Sequence, residues 1–310
     1  MRNRFVILIV ALAAVVVFSL VITAQNRGAQ AGQQQQGAAR GNAAADNRPF
    51  NPRDLAGIWS RNSGGYGGGG TCRECGDRGF GNNVPPLTPE GQKKFDANHP
   101  SYGRALGSED AAAHPEEHVG RRRAVPPANG TDLYQSCNPQ GVPRALIYPD
   151  PVEFIVLPDR IIQNFQWTYS WRTIWTDGRQ LPKEVDLPRW WGYSAGHWES
   201  DTFVVDTVGS DDRTWVDHFG YPHSDQMHLQ ERYRRISYDT LELNMWIEDP
   251  KMYLGRWNAD VKRFKLLPKD YVKTTDGWTG LLEDLCAPAD EVEQFNKRIR
   301  DPAGGVFHDK

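Results

Sequence analysis

The chain has 310 residues, 39 acidic against 36 basic side chains and a formal net charge of −3. It has no extended basic stripe, which argues against nucleic acid as a partner; Arg121-Arg122-Arg123 is a short run beside Glu116 and Glu117, the composition of a solvated loop. Tryptophan and tyrosine are abundant, at 11 each, and such surface suits a packed core or a pocket for an apolar or planar molecule.

Arg2 and Arg4 precede an almost unbroken apolar run, Phe5 to Ile22, followed by Thr23 and Ala24. This is the pattern of a secretory signal, with cleavage after Ala24 or at the second small-residue site, Ala29-Gln30-Ala31. The run also approaches the roughly 18 apolar residues that span a bilayer, so residues 1–24 read as a signal peptide or an N-terminal membrane anchor. The small residues after it, without a Lys/Arg cluster, favour the signal. Either way the rest of the chain is expected to be exported, periplasmic or extracellular. Residues 25–48 are rich in Gln, Ala and Gly and carry too little apolar surface to offset the cost of ordering, so they read as a disordered tether.

The remainder of the chain, 49–310, fits one large all-β domain or two small ones, and one is favoured, since such folds often exceed the usual roughly 100–200 residues. Within it, 63–129 reads as a loop-rich insert containing one helix: Thr88 suits a cap and Pro89 the first turn of Thr88–Ala97. A second helix is expected over Ala289–Arg300. The insert also carries Cys72 and Cys75, a lone CxxC that fits a local disulfide, half a zinc site or a redox pair. Four cysteines in an exported protein suggest two disulfides, with three connectivities open. Pairing Cys72 with Cys75 leaves Cys137 and Cys286 as a long-range staple, worth several kcal/mol by loop closure.

Strand signals dominate the second half. Phe165, Trp167, Tyr169 and Trp171 alternate with polar residues from Asn164 to Arg172, the period of a half-buried strand, and Thr176–Arg179 comes next with Asp-Gly at a turn. Trp198 and Phe203–Val205 flank a second turn, and Leu229–Ile236 and Leu241–Glu248 flank a third at Tyr238-Asp239-Thr240. Strands joined by short turns, without intervening helices, predict an antiparallel barrel or sandwich.

The segment from Trp215 to Arg235 concentrates titratable groups: His218, His223, His228, Asp217, Asp225 and Glu231. Histidine titrates near neutrality, and neighbouring carboxylates orient it or raise its basicity, so His223 with Asp225 or Asp217 is the candidate acid–base pair. On its strand Glu231 shares a face with Leu229, Tyr233 and Arg235. A buried glutamate there needs a partner, and Arg235, Arg172 and Arg144 are the candidates; without one it is a candidate general acid or base. No metal or cofactor is expected; a zinc site at His223, Asp225 and His228, or Glu231, is the weaker alternative, because the five-residue spacing matches no standard ligand template. No GxSxG elbow is present, and Ser224 beside His223 is no triad. Candidate ligand-binding residues are Arg144, Trp167, Tyr169, Trp171, Trp191, Trp198, Trp215 and Tyr233.

The segments DLAGIWS (Asp54–Ser60), LTPEGQKKFDA (from Leu87), CNPQGVPR (Cys137–Arg144), TDGRQLP, WWGYSAGHWESDTFVVDTVG, TWVDHFGYPHSD, ERYRR and LELNMWIEDP resemble a widespread family of uncharacterised exported bacterial proteins, over most of the chain from Asp54 to Cys286. That resemblance brings no activity. More distantly, Gly57-Ile58-Trp59 is similar to the GxW of lipocalins, in which the Trp closes one end of the barrel. This implies a lipocalin- or calycin-like antiparallel β-barrel interrupted by the 63–129 insert. The expected function is an exported protein binding a small, partly apolar ligand in a barrel cavity. The alternatives are a hydrolase, lyase or isomerase using the His/Asp/Glu cluster, with Glu231 or Arg144 positioning substrate, and a structural envelope protein.

Overall fold

A computed structural model describes residues 48–61, 79–100, 130–167, 170–268, 280–281 and 286. All of these belong to one compact unit, 47–310. The signal or anchor, nearly all of the tether, the Cys72/Cys75 motif, Tyr169 and the helix expected at 289–300 lie outside the described residues.

The described chain is mainly β. Its strands are β1 (Gly57–Ser60), β2 (Val152–Val156), β3 (Arg160–Phe165), β4 (Ser170–Trp175), β5 (Tyr193–Glu199), β6 (Thr202–Val208), β7 (His228–Ser237), β8 (Thr240–Glu248), β9 (Trp257–Asn258) and β10 (Lys262–Leu266). Each pairs with the next from β1 to β8; β10 then pairs with both β8 and β1, which closes a nine-strand barrel. The short β9 continues the outer edge of β8 past β10, with Trp257 opposite Ile247.

Period-two patterning decides which side chains enter. On β7 the buried set is Leu229, Glu231, Tyr233 and Arg235, and on β8 it is Leu241, Leu243, Met245 and Ile247. The interior is filled by these together with Trp59, Phe154, Phe165, Ile174, Phe203 and Val205. Trp59 is fully buried and its indole N–H donates to the Leu55 carbonyl at 2.9 Å, while the Arg235 guanidinium lies 5.3 Å from its ring. Arg235 also donates to the carbonyls of Asp54 and Tyr238, so this end of the barrel is capped by a cation whose donors are met by backbone.

The helix in the insert forms as expected. In α1 (Pro89–Ala97) the Thr88 hydroxyl accepts from Gly91 N–H at 3.0 Å, and Pro89 occupies the first turn. Gly91 is required by close approach, because a Cβ there would sit 2.2 Å from the Met252 carbonyl oxygen. Phe95 stacks on Tyr221 at 4.6 Å, and the Asn98 amide donates to the Gly220 carbonyl. Phe80 is fully buried against Trp257. The described part of the insert therefore packs on the 209–227 loop and on the 249–260 segment after β8, at the end opposite Trp59.

Two expectations are corrected. The aromatic run Asn164–Arg172 is not one strand: β3 ends at Phe165, β4 begins at Ser170, and these two residues face each other in register. Phe165 is consequently inside and Trp171 outside, 65% exposed, with Arg172 and Ile174 the inward residues of β4. Alternation continues on both arms, and the intervening residues carry no Gly, Pro or Asn to mark the bend. The second correction concerns direction, since β4 and β5 run parallel, paired only through Ile174 with Ser194 and Trp175 with Ala195. Parallel neighbours need a long return connection. Residues 176–192 supply it, starting from the Asp177-Gly178 turn, where Gly178 has φ +82°.

Candidate functional site

The parallel seam opens the barrel wall. Since β5 meets only the last two residues of β4, Ser170 to Thr173 have no β5 partner, and the return connection runs past this unpaired edge. A cleft of about 920 Å³ results, walled by β4, the connection and the start of β5. Gly192 lets the connection enter β5 tightly: its φ is +62°, and a Cβ would lie 2.8 Å from both Thr207 Cγ2 and the Val208 carbonyl. Arg189 N–H donates to the Gly209 carbonyl and Asp211 N–H to the Arg189 carbonyl, which zips the connection to the chain after β6.

Five aromatic side chains line the cleft: Trp171, Trp175, Trp190, Trp191 and Tyr193. Three are paired with arginines, Arg179 lying 3.5 Å from the Trp175 ring centroid, Arg189 4.4 Å from Tyr193 and Arg213 4.5 Å from Trp190. Trp191 stacks flat on Phe165 at 4.7 Å, which fixes its ring. Asp177 chelates Arg179, whose hydrogen bonds hold its carboxyl down at about 2, and Asp211 is likewise lowered by hydrogen bonds from Arg213.

Arg172 and Ser194 form the cleft floor and lead into a buried polar core. All five guanidinium N–H groups of Arg172 have acceptors: Ser194 Oγ at 3.0 Å, Gln163 Oε1 at 3.2 Å, Thr207 Oγ1 at 2.8 Å and the two Glu231 oxygens at 2.8 and 3.0 Å. Tyr233 donates to Glu231 at 2.6 Å and accepts from Gln163 Nε2 at 2.9 Å. Burial, followed by the Glu231 charge, pushes the Tyr233 hydroxyl well above its ordinary range. Of the three partners weighed for Glu231, the fold selects Arg172.

The expected acid–base cluster is dispersed, and among the described residues no hydrogen bond joins any two of His223, Asp225, Asp217 and Glu231. His223 is fully buried, with Nε2 against Thr214 Oγ1 at 2.7 Å and Nδ1 against the Ser224 carbonyl at 3.1 Å; burial pushes its pKa down. Asp225 is exposed and paired with Lys251 at 2.7 Å. Asp217 accepts from Phe219 N–H at 2.8 Å and Phe80 N–H at 3.1 Å, tying the insert to the 217–219 loop. Its complete burial pushes its carboxyl up to about 6, against the pull of those donors and of Arg144. Ser224 donates to Asp249 at 2.7 Å rather than to any histidine.

The residues of the weaker zinc reading are likewise not brought together. His228 lies on the outer face of β7 against Asp206 at 2.8 Å, so His223, Asp225 and His228 each engage a different partner. Among the described residues no group of three or more His, Cys, Asp or Glu is arranged to hold a metal ion.

The candidate ligand-binding residues separate similarly. Trp171 and Trp191 line the cleft, whereas Trp167 borders a small internal space behind Trp191. Trp198 packs on Phe203 at 5.2 Å. Arg144 is buried in a forked pair with Asp132 at 2.8 and 2.5 Å, enclosed by the rings of Tyr134, Tyr148 and Trp215. Tyr148 hydroxyl bonds His218 Nδ1, extending this network to the third histidine of the segment. Arg179, Arg189, Arg213, Trp175 and Tyr193 were not singled out by sequence. The signal available was the density of arginine and tryptophan between Trp171 and Tyr193, which becomes a site only once the parallel seam is known. No protein-family model, curated protein or solved structure matches the chain.

Proposed function

We propose that this is an exported, lipocalin-like barrel protein that binds a small, partly apolar ligand, and that the site is the lateral cleft between β4 and β5 instead of the barrel lumen. The observation that carries the reading is the cleft itself: about 920 Å³, lined by five aromatic rings and open to solvent along an unpaired strand edge. Its size falls within the roughly 300–1,000 Å³ of small-molecule sites. The lumen is a poorer candidate because its inward positions are occupied by Trp59, Phe154, Phe203, Leu243 and the Arg172–Glu231 pair. Binding is favoured over catalysis because Asp217, His223 and Asp225 do not line the cleft, and Glu231 lies beneath Arg172 with its oxygens engaged. Export rests on the Arg2/Arg4 and Phe5–Ile22 pattern.

Trp171 is 65% exposed, so its truncation leaves the fold intact while removing one wall of the cleft. Ligand-observed NMR with a fragment set of aromatic and saccharide compounds should give saturation-transfer signals that weaken severalfold in Trp171→Ala and Trp175→Ala. Signals equal in wild type and both variants would place binding elsewhere and sink the cleft reading.

A further inference from the structure

The charge distribution around the cleft is uneven in a way that specifies its ligand. Four arginines and one aspartate line it: Arg172, Arg179, Arg189, Arg213 and Asp211. Arg172 is neutralised by Glu231, Arg179 by Asp177 and Arg213 by Asp211. Three of the four cations are thereby matched, leaving one net positive charge. That charge is Arg189, whose guanidinium is exposed, has no ion pair among the described residues and rests on Tyr193. The matched arginines are held in forked geometry. The Arg189 side chain is free to turn its donors towards the cleft, while its backbone is pinned to Gly209 and Asp211.

We propose that the cleft selects ligands carrying a single acidic group beside a flat apolar face, with Arg189 as the selecting residue. This rests on the cleft being the binding site and adds a ligand class to it. The selection is electrostatic and local. A guanidinium is a forked donor suited to carboxylate or phosphate, and its stacking on a ring leaves the N–H edge available. The exposed Trp171 ring offers a face for a planar apolar surface, and Arg172 cannot compete for the acid because all its donors are used. A dianion would have only one unmatched cation to meet it, and a neutral ligand would leave Arg189 unused. An aromatic acid and an acidic sugar share this chemistry, since both present a flat apolar face next to a carboxylate.

Calorimetry on the full chain at low salt tests this with two matched pairs: 2-naphthoate against 2-naphthamide, and methyl glucuronide, as its carboxylate, against methyl glucoside. Wild type should prefer the acid of at least one pair by about fivefold, the scale of one half-exposed charged contact, and the pair that discriminates identifies the source. Arg189→Gln should bring that ratio to within about twofold of unity, Arg189→Lys should retain part of it, and Lys183→Gln, which removes an exposed charge outside the cleft lining, should not change it. Binding without acid preference, or a preference that survives Arg189→Gln, overturns the selectivity while leaving the cleft as a site. No binding of any probe to wild type overturns both.

Discussion

Arg172 on β4 and Glu231 on β7 form a two-pronged ion pair across the barrel interior, with both side chains essentially inaccessible to solvent. Removing two charges from water is expensive, and their attraction repays it only when every remaining donor and acceptor is satisfied. Here it is, through Ser194, Gln163, Thr207 and Tyr233. The pair couples strands that are not neighbours in the sheet and holds up the cleft floor from inside.

Breaking one side of this pair should therefore cost more than replacing both. Glu231→Gln leaves a buried guanidinium without its counter-ion, and urea denaturation should record a loss of about 3–5 kcal/mol. Arg172→Met combined with Glu231→Leu removes both charges and should recover a substantial part of that loss. A double variant no more stable than Glu231→Gln alone would show that the network is held by its hydrogen bonds to Gln163, Thr207 and Tyr233, not by charge compensation.

Much of the barrel was legible because β7 and β8 keep period-two alternation on either side of Tyr238-Asp239-Thr240, whereas the bulge between Arg235 and Ser237 that sets Arg235 opposite Leu241 has no such signal. Thr88 and Pro89 announced α1 because capping is a local interaction. The bend between Phe165 and Ser170 was illegible for the opposite reason: it uses no special turn residue, and aromatic alternation reads through it unbroken. The parallel seam is a long-range choice with no local signature, so the cleft and Arg189 could not be located beforehand. Grouping Asp217, His223 and Asp225 failed because neighbours along an irregular segment point in different directions. Asp217 turns towards Phe80 N–H, His223 towards Thr214 and Asp225 towards Lys251.

The Cys137–Cys286 disulfide closes a span of 149 residues that contains every strand from β2 to β10. Loop-closure entropy assigns such a bridge roughly 5 kcal/mol, acting mainly on the unfolded chain. Cys137→Ser and Cys286→Ser should accordingly lower Tm by the same amount under oxidising conditions, and both variants should match the wild type once that is fully reduced. Unequal losses, or free thiols at both positions by mass spectrometry of the unreduced protein, would refute the pairing.

Asp217 gives stability an unusual pH dependence. Its carboxyl is raised from 3.8 to about 6 by burial, so between those values the folded state binds a proton that the unfolded state releases. This group's stabilising contribution is therefore fully present below about pH 4 and is lost as pH rises through about 6, a change on the order of 3 kcal/mol. Carboxylates paired with cations, such as Asp177, Asp211 and Asp225, act in the other direction, so the whole-protein profile will not isolate it, but a difference will. Asp217→Asn keeps an oxygen to accept from Phe219 N–H and has no titration. The stability of wild type minus that of Asp217→Asn, measured by urea denaturation at several pH values, should fall steadily between about pH 4 and 6.5 and flatten above. A difference that is constant across this range would mean that Asp217 stays ionised in the folded protein, with the N–H groups of Phe80 and Phe219 and the charge of Arg144 outweighing its burial.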